Sequence, residues 1–561
     1  MAAEKRRLGN ILVNAGKITA YQLQEALKSQ KALGKKLGEI LVESKIITEN
    51  DIIEAIEQQT GIKRVDLNVI DFDKKAISII PKNLCDKYVL IPFGFENNKI
   101  QIALSDPLNI YAIDDVAIST GFEIESFITT KDDIKKFVEI YYSSQQVSIA
   151  AQALSRESAE SKNAKVSVED LDNVKNAPVV KMVDYLFKNS IEMKASDIHI
   201  EPFENEIRIR YRIDGKLQTV NSISIDSQGP LVTRIKILSG LNIAEKRAPQ
   251  DGRIVVNVDG KDIDLRVSIL PVVYGEKVVI RILNTSSGNI GRERLGMSKE
   301  NLETIDRIIS SPHGIVLVTG PTGSGKSTTL YTVLSELNDD NVNIITVEDP
   351  VEYTLNGVNQ VSVNNKAGLT FASGLRSILR QDPDIVMIGE IRDNETAEIA
   401  TKAAITGHLV LSTLHTNDAP SSIIRLVDMG IKPYLVSASV VGIIAQRLVR
   451  KVCTNCIERF EATDYEKEIL GVDKDKHLIL NKGTGCGYCN NTGYVGRIGI
   501  YEVLEVSREL REAINLGKSS DLLGDIAKSQ GMTTLADECK KLVLKGITTI
   551  DELFAVTMTK D

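Results

Sequence analysis

The sequence predicts a multidomain α/β protein whose C-terminal half is built on a P-loop. Three observations carry that reading. The run Gly320-Pro321-Thr322-Gly323-Ser324-Gly325-Lys326-Ser327 fills every position of the phosphate-cradling pattern G-x-x-x-x-G-K-[ST]. An apolar strand, residues 315–318, precedes it, and a helix-like segment, 328–337, follows. Two further apolar runs, 343–347 and 385–388, lead into acidic residues, as strands do where an α/β sheet binds its ligand. In this context Gly320, Gly323 and Gly325 let backbone N–H groups converge on phosphate oxygens, with the helix N-terminus adding partial positive charge. Lys326 reaches the β- and γ-phosphates and the Ser327 hydroxyl ligates Mg²⁺, so residues 320–328 bind a nucleoside triphosphate.

A length of 561 residues suggests about four domains of ~150 residues each. Charged residues at 26% and hydrophobic ones at 42% fit a soluble, cored chain. A net charge of -8 argues against a broad nucleic-acid surface, and no direct nucleic-acid binding is expected. No apolar run approaches the roughly 18 residues of a membrane span, and the opening residues lack a signal-peptide core. Cytoplasm is the expected compartment.

Residues 7–30 and 36–59 form a tandem repeat, expected as a helical domain over 1–60. Arg7, Leu8, Gly9, Leu12 and Gln30 correspond to Lys36, Leu37, Gly38, Leu41 and Gln59, while Leu23 and Leu27 become Ile52 and Ile56. Apolar spacing gives two short helices per unit, with Thr19/Gln22 and Thr48/Asp51 as N-cap pairs. Neither unit could bury its apolar face alone, so the two pack together. The plain reading is a structural four-helix unit. The paired units, Arg-Leu-Gly to Leu-x-x-x-Leu-x-x-Gln, also resemble the c-di-GMP-binding N-terminal domain of pilus and secretion ATPases. That resemblance implies a c-di-GMP site made by Arg7, Leu8, Gly9, Leu12, Leu23, Leu27, Gln30, Lys36, Leu37, Gly38, Leu41 and Gln59. Lys36 stands where the second unit has Arg; its point charge cannot reproduce a planar guanidinium fork, which weakens that half.

Residues 61–142 read as a small α/β domain and 143–176 as a linker. From 177 to 288, runs such as Ile207-Arg-Ile-Arg-Tyr-Arg-Ile213 alternate apolar with charged residues, as half-exposed strands do. Here Asp197-Ile-His-Ile-Glu-Pro202, Pro249-Gln-Asp-Gly-Arg253, Arg266-Val-Ser and Gly275-Glu-Lys resemble the secretion ATPases of type IV pili and type II secretion. The resemblance runs from Arg7 to the C-terminus. It implies a PAS-like pre-catalytic domain over 177–288 and a RecA-like ATPase domain over 289–561. It implies Arg266 and Arg281 as arginine fingers, with Arg210, Arg212 and Arg253 less sharply indicated.

Within the ATPase region, three acids, Glu348, Asp349 and Glu352, follow one strand, and Glu390 ends another. The resemblance implies Glu352 or Glu348 as the base that orients water, with Glu390 acting through Mg²⁺. His408 and His415 flank a third apolar strand and resemble the family's γ-phosphate-sensing histidine box, while Arg447 reads as structural. Two Cys-x-x-Cys pairs, Cys453/Cys456 and Cys486/Cys489, frame an insert over 453–489 and supply four thiolates suited to tetrahedral Zn²⁺.

The combined expectation is a cytoplasmic ATPase, a homo-hexamer at the membrane's inner face, which powers pilin polymerisation. Its cofactors are ATP, magnesium and zinc, with c-di-GMP as regulator. Its partners are an inner-membrane pilus platform protein and associated assembly proteins. Type II secretion, DNA uptake and a low-turnover nucleotide-sensing scaffold remain as alternatives.

Overall fold

The computed structural model describes residues 8–33, 36–44, 46–68, 70, 72–138, 141–142, 178–258, 260–283 and 291–557. Arg7 and the expected linker at 143–176 lie outside the described residues. Two compact units emerge, one drawn mainly from positions before 283 and the other mainly from those after. Among the described residues no helix is long and apolar enough to cross a membrane.

In the first unit the repeat folds as helices Leu8–Asn14, Ala20–Leu33, Leu37–Glu43 and Glu49–Thr60. Thr19 and Gln22 cap reciprocally, as do Thr48 and Asp51. Equivalent apolar residues share one core: Ile11 and Leu12 with Ile40 and Leu41, Ile18 with Ile47, Ala26 with Ala55. Gly9 permits the close crossing of its helix with the next, since a Cβ there would sit 2.6 Å from Leu23 Cδ1. Next come β1 (Leu90–Glu96), β2 (Lys99–Leu104) and β3 (Glu123–Ile128), ordered β1-β2-β3. The β1–β2 pair is antiparallel; β2 and β3 are parallel, with the helix Ile110–Thr120 between them in sequence.

After the helix Pro178–Glu192 come β4 (Asp197–Pro202), β5 (Glu206–Ile213), β6 (Lys216–Ser224), β7 (Gln250–Val258), β8 (Lys261–Val272) and β9 (Gly275–Leu283). They form one sheet in the order β6-β5-β4-β9-β8-β7. Period-two alternation fixes the facing of β5: Ile207, Ile209 and Tyr211 are buried, and the arginines between them are not.

The second unit holds a seven-stranded sheet, order β12-β11-β13-β14-β10-β15-β18. Its strands are β10 (Gly314–Thr319), β11 (Ile344–Glu348), β12 (Asn359–Ser362), β13 (Ile385–Ile388), β14 (Leu409–Leu414), β15 (Val440–Val452) and β18 (Tyr494–Glu505). All neighbours are parallel except β15–β18. The central strands are buried along their whole length because both faces are covered. In β10, Ile315 and Leu317 join one core cluster while Val316 and Val318 join the other. Between β15 and β18 the chain makes an antiparallel ribbon of β16 (Ile457–Glu461) and β17 (Ile479–Gly483), which returns the two Cys-x-x-Cys segments to one end.

The chain ends in helices Arg508–Asn515, Ser520–Ser529, Leu535–Leu544 and Ile550–Thr557. Leu535, Cys539 and Val543 point inward at helical spacing. Glu552 anchors the last helix by accepting from Arg450 Nε at 3.0 Å and Nη2 at 2.6 Å, with both side chains only 11% exposed. Removing one partner strands a buried charge. Glu552→Ala should lower the denaturation free energy of this unit by about 3–5 kcal/mol. Glu505→Ala, which breaks the exposed pair with Arg307, should cost about 1 kcal/mol or less in the same urea titration.

Candidate active site

The phosphate loop leaves β10 at its carboxyl end and enters the helix Lys326–Leu337. Gly320, Gly323 and Gly325 have φ of 145°, 80° and 90°. A Cβ on Gly320 would lie 2.4 Å from the Gln446 carbonyl oxygen, and one on Gly325 2.8 Å from Gln446 Nε2. Side chains are therefore excluded twice, by backbone conformation and by β15 behind the loop. Thr329 Oγ1 donates to Gln446 Oε1 at 2.7 Å and ties the helix to that strand. Ser324 Oγ is buried without a hydrogen-bond partner, a group that a phosphate oxygen would satisfy. Pro321, Thr322 and Ser327 are exposed, and Thr328 is half-buried.

Lys326 Nζ donates to the carbonyl oxygens of Gly320 at 2.8 Å and Pro321 at 3.1 Å. Burial lowers its pKa; the charge of Glu390 opposes that and the charge of Arg447 adds to it. Glu390, at the end of β13, places one carboxylate oxygen against Arg392 and the other 3.5 Å from His415 Nε2. His415 thus stands at the carboxyl end of β14, on the same sheet edge as the phosphate loop.

His408 does not. It precedes Leu409, which pairs with Gly314 at the start of β10, whereas the loop begins after Thr319, which pairs with Leu414. Seven residues of parallel strand, about 3.3 Å each, put the two histidines roughly 20 Å apart. His408 Nδ1 bonds the Ala403 carbonyl oxygen at 2.9 Å and so fastens a helix end. The two histidines therefore stand at opposite ends of β14, with His415 the one beside Glu390.

The acids also separate. Glu348 is 4% exposed, and its oxygens accept from Tyr331 Oη, Thr346 Oγ1 and Gln360 Nε2. The Tyr331 hydroxyl in turn accepts the Glu352 backbone N–H at 3.2 Å. Burial, with Glu348 beside it, holds the Tyr331 phenol protonated far above its usual range. Glu348 is thereby committed to shaping the acid loop, and Tyr331, which no sequence signal marked, joins that loop to the phosphate-loop helix.

In the first unit a cleft of about 550 Å³ is lined by Asp197, Arg253, Arg266, Ser268 and Arg281. Strand pairing sets Asp197 opposite Arg281, whose Nε lies 3.1 Å from Asp197 Oδ1 while 60% of the side chain stays exposed. Arg210 is instead held by Glu201 at 2.7 Å, and Arg212 by Asp197 at 3.6 Å and the Gly215 carbonyl oxygen at 2.9 Å. The cleft gathers Arg253 with the two expected fingers and leaves the β5 arginines out.

The four sulfur atoms of Cys453, Cys456, Cys486 and Cys489 all lie within 4.8 Å of one another. Cys486 and Cys489 Sγ are 3.7 Å apart, too far for a disulfide at about 2.05 Å. That separation matches the edge of a tetrahedron with metal–sulfur bonds of about 2.3 Å. Backbone N–H groups of Gly485 and Cys486 point at Cys456 and Cys489 sulfur, which suits thiolates.

In the repeat, Leu12 and Leu41 are fully buried in the core, Gly9 is buried at the helix crossing, and Leu8, Leu23, Gln30, Leu37, Gly38 and Gln59 are partly covered. Leu27 is exposed, and Lys36 pairs with Asp106.

Strand, glycine loop, lysine, hydroxyl and facing acids define a P-loop nucleoside triphosphatase. A family model described as "Type II/IV secretion system protein" matches residues 172–555, and one described as "MshEN domain" matches 60–148, starting just past the end of the repeat at Gln59. The chain is 41% identical over 559 residues to the type IV pilus assembly ATPase PilB of Myxococcus xanthus, covering 98% of this chain and 99% of that protein. It is 48% identical over 390 residues to the type II secretion system protein E of Pseudomonas aeruginosa, covering 69% of this chain and 78% of that one. The solved structure of the Legionella pneumophila ATPase DotB shares the fold, with a TM-score of 0.51 and 22% identity over 67% of this chain and 95% of that chain. The chain belongs to the type II/IV secretion system protein family, and it is an ATPase.

Tyr331→Phe removes one donor from buried Glu348 and the acceptor of the Glu352 N–H. It should cost about 1–3 kcal/mol in stability and lower kcat with little change in KM, measured by urea titration and steady-state kinetics.

Proposed function

We propose that this chain is the ATP-hydrolysing motor of type IV pilus assembly. The observation that carries the reading is the likeness to a pilus assembly ATPase along nearly the whole of both chains. The type II secretion reading is supported over a shorter span of this chain, although at higher identity.

Lys326, the loop N–H groups and Ser324 bind the phosphates, while Ser327 would hold Mg²⁺ and Glu390 would act through its coordination shell. Glu352 orients the attacking water, a role favoured by the commitment of Glu348 to three donors. Phosphoryl transfer spreads charge over the γ-phosphate oxygens, so added cations lower its barrier. Arg266 and Arg281 supply that charge from the cleft on β8 and β9, across the boundary between neighbouring copies in a ring of six. Such a motor works at the cytoplasmic face of the inner membrane against a platform protein and its associated assembly proteins. Cys453, Cys456, Cys486 and Cys489 hold one structural Zn²⁺. The tandem repeat, with Lys36 and Gln59 from its second unit, takes c-di-GMP as a regulator.

Lys326→Ala should reduce ATP hydrolysis by about 100-fold or more, and Arg266→Ala or Arg281→Ala by a similar factor. Equal, negligible rates in wild type and Lys326→Ala would leave a nucleotide-sensing scaffold instead. Purified protein should contain about one zinc per chain, with loss of metal lowering its melting temperature; less than half that content contradicts the Cys₄ site. Calorimetry of the full chain with c-di-GMP should show saturable heat that Gln59→Ala weakens.

A further inference from the structure

Behind the loop that carries His415 lies a small cavity of about 60 Å³ bordered by Asn417, Asp418, Arg447, Glu502, Thr534 and Leu535. Arg447 reaches it from β15. Its Nη2 donates to Asn417 Oδ1 at 2.9 Å, while its Nε is buried with no hydrogen-bond partner. A guanidinium cannot shed its charge, so an unmatched buried N–H on it is costly unless another arrangement supplies an acceptor. The chain neighbour of Arg447, Gln446, backs Gly320 and Gly325 of the phosphate loop, and the charge of Arg447 lowers the Lys326 pKa. Asn417 is two residues from His415, itself 3.5 Å from Glu390.

On the opposite side stands Glu502, buried on β18. One of its oxygens accepts the Ala419 N–H at 2.8 Å and the other the Leu535 N–H at 3.3 Å. Those are the first residues of the helices Ala419–Asp428 and Leu535–Leu544. Asp418 caps the first of these helices through the Ser421 N–H at 2.8 Å. One cavity therefore joins the strand that backs the phosphate loop, the loop after His415, and the start of a C-terminal helix.

We propose that Arg447 is a positioning residue that reads occupancy of the phosphate site and transmits it through this cavity to the helix Leu535–Leu544. The inference rests on ATP occupying the loop and adds where its presence is felt. Without nucleotide, the carboxylate acting on Arg447 is Asp418, with Glu502 bordering the same cavity. A γ-phosphate beside Lys326 offers a competing negative charge, so the two states differ in what neutralises the guanidinium. That difference is what a ligand needs in order to shift a conformational equilibrium. Asp418 caps the helix Ala419–Asp428, whose start Glu502 holds together with that of Leu535–Leu544, so a shift at Asp418 is conveyed to both.

The test is hydrogen exchange on the full-length chain, with and without magnesium and the non-hydrolysable analogue adenylyl imidodiphosphate. In wild type, analogue binding should alter exchange in peptides spanning 535–544. In Arg447→Gln the analogue should still bind within about threefold, the exchange change should vanish, and kcat should fall about tenfold with KM nearly constant. Arg447→Lys, which keeps the charge without the fork, should restore part of the response. A wild type that binds the analogue with no change at 535–544 overturns the proposal, whether or not the variants fold. So does an Arg447→Gln chain that keeps the change. A wild type that binds no analogue removes the nucleotide reading first, and this inference with it.

Discussion

The structure depends on one close approach: the phosphate loop lies against β15 with no space for side chains. Gly320 and Gly325 meet Gln446 at distances that a Cβ would violate, and the Thr329–Gln446 hydrogen bond pins the following helix to the same strand. The loop's N–H groups are thereby fixed before any ligand arrives. Preorganised donors stabilise developing charge without reorganisation at the moment of reaction, which is where most of the catalytic gain in phosphoryl transfer arises. Tyr331 extends the same frame sideways, from the helix to Glu348 and on to the acid loop.

A cradle of this kind concentrates positive potential, and the cations around it are already engaged. Lys326 rests on two carbonyl oxygens, Arg392 faces Glu390, and Arg447 is tied to Asn417. The richest group of arginines lies on a different sheet, in the cleft of Arg253, Arg266 and Arg281. A division between a unit that binds phosphate and a unit that presents guanidinium groups suits a motor whose chemistry waits for assembly.

Much of this was legible in the residues, wherever the determinant is local. The glycine loop is defined by eight consecutive positions, and the repeat by period and caps, so both were readable without tertiary contacts. The cysteine pairs were readable despite their long separation because an antiparallel ribbon closes that distance. What failed to show was register and partner choice. His408 and His415 bracket one apolar run, and the direction of β14 against β10 reveals which of them stands at the phosphate-loop end. Glu348 and Glu352 look equivalent until Tyr331, Thr346 and Gln360 converge on one of them. The partner of Arg447, Asn417, is thirty positions away, and no local pattern announces it. Arginines on β5 matched the alternation of an exposed face, yet acids on the neighbouring β4 hold two of them.

The most direct measurement mixes two inactive chains, one carrying Lys326→Ala and the other Arg266→Ala with Arg281→Ala. Where the two meet, an intact cradle from one copy faces intact arginines from the other. The shared-site account predicts that ATP hydrolysis reappears on mixing, in proportion to such contacts. Mixed assemblies that form, as seen by mass, yet stay as inactive as either parent would contradict it.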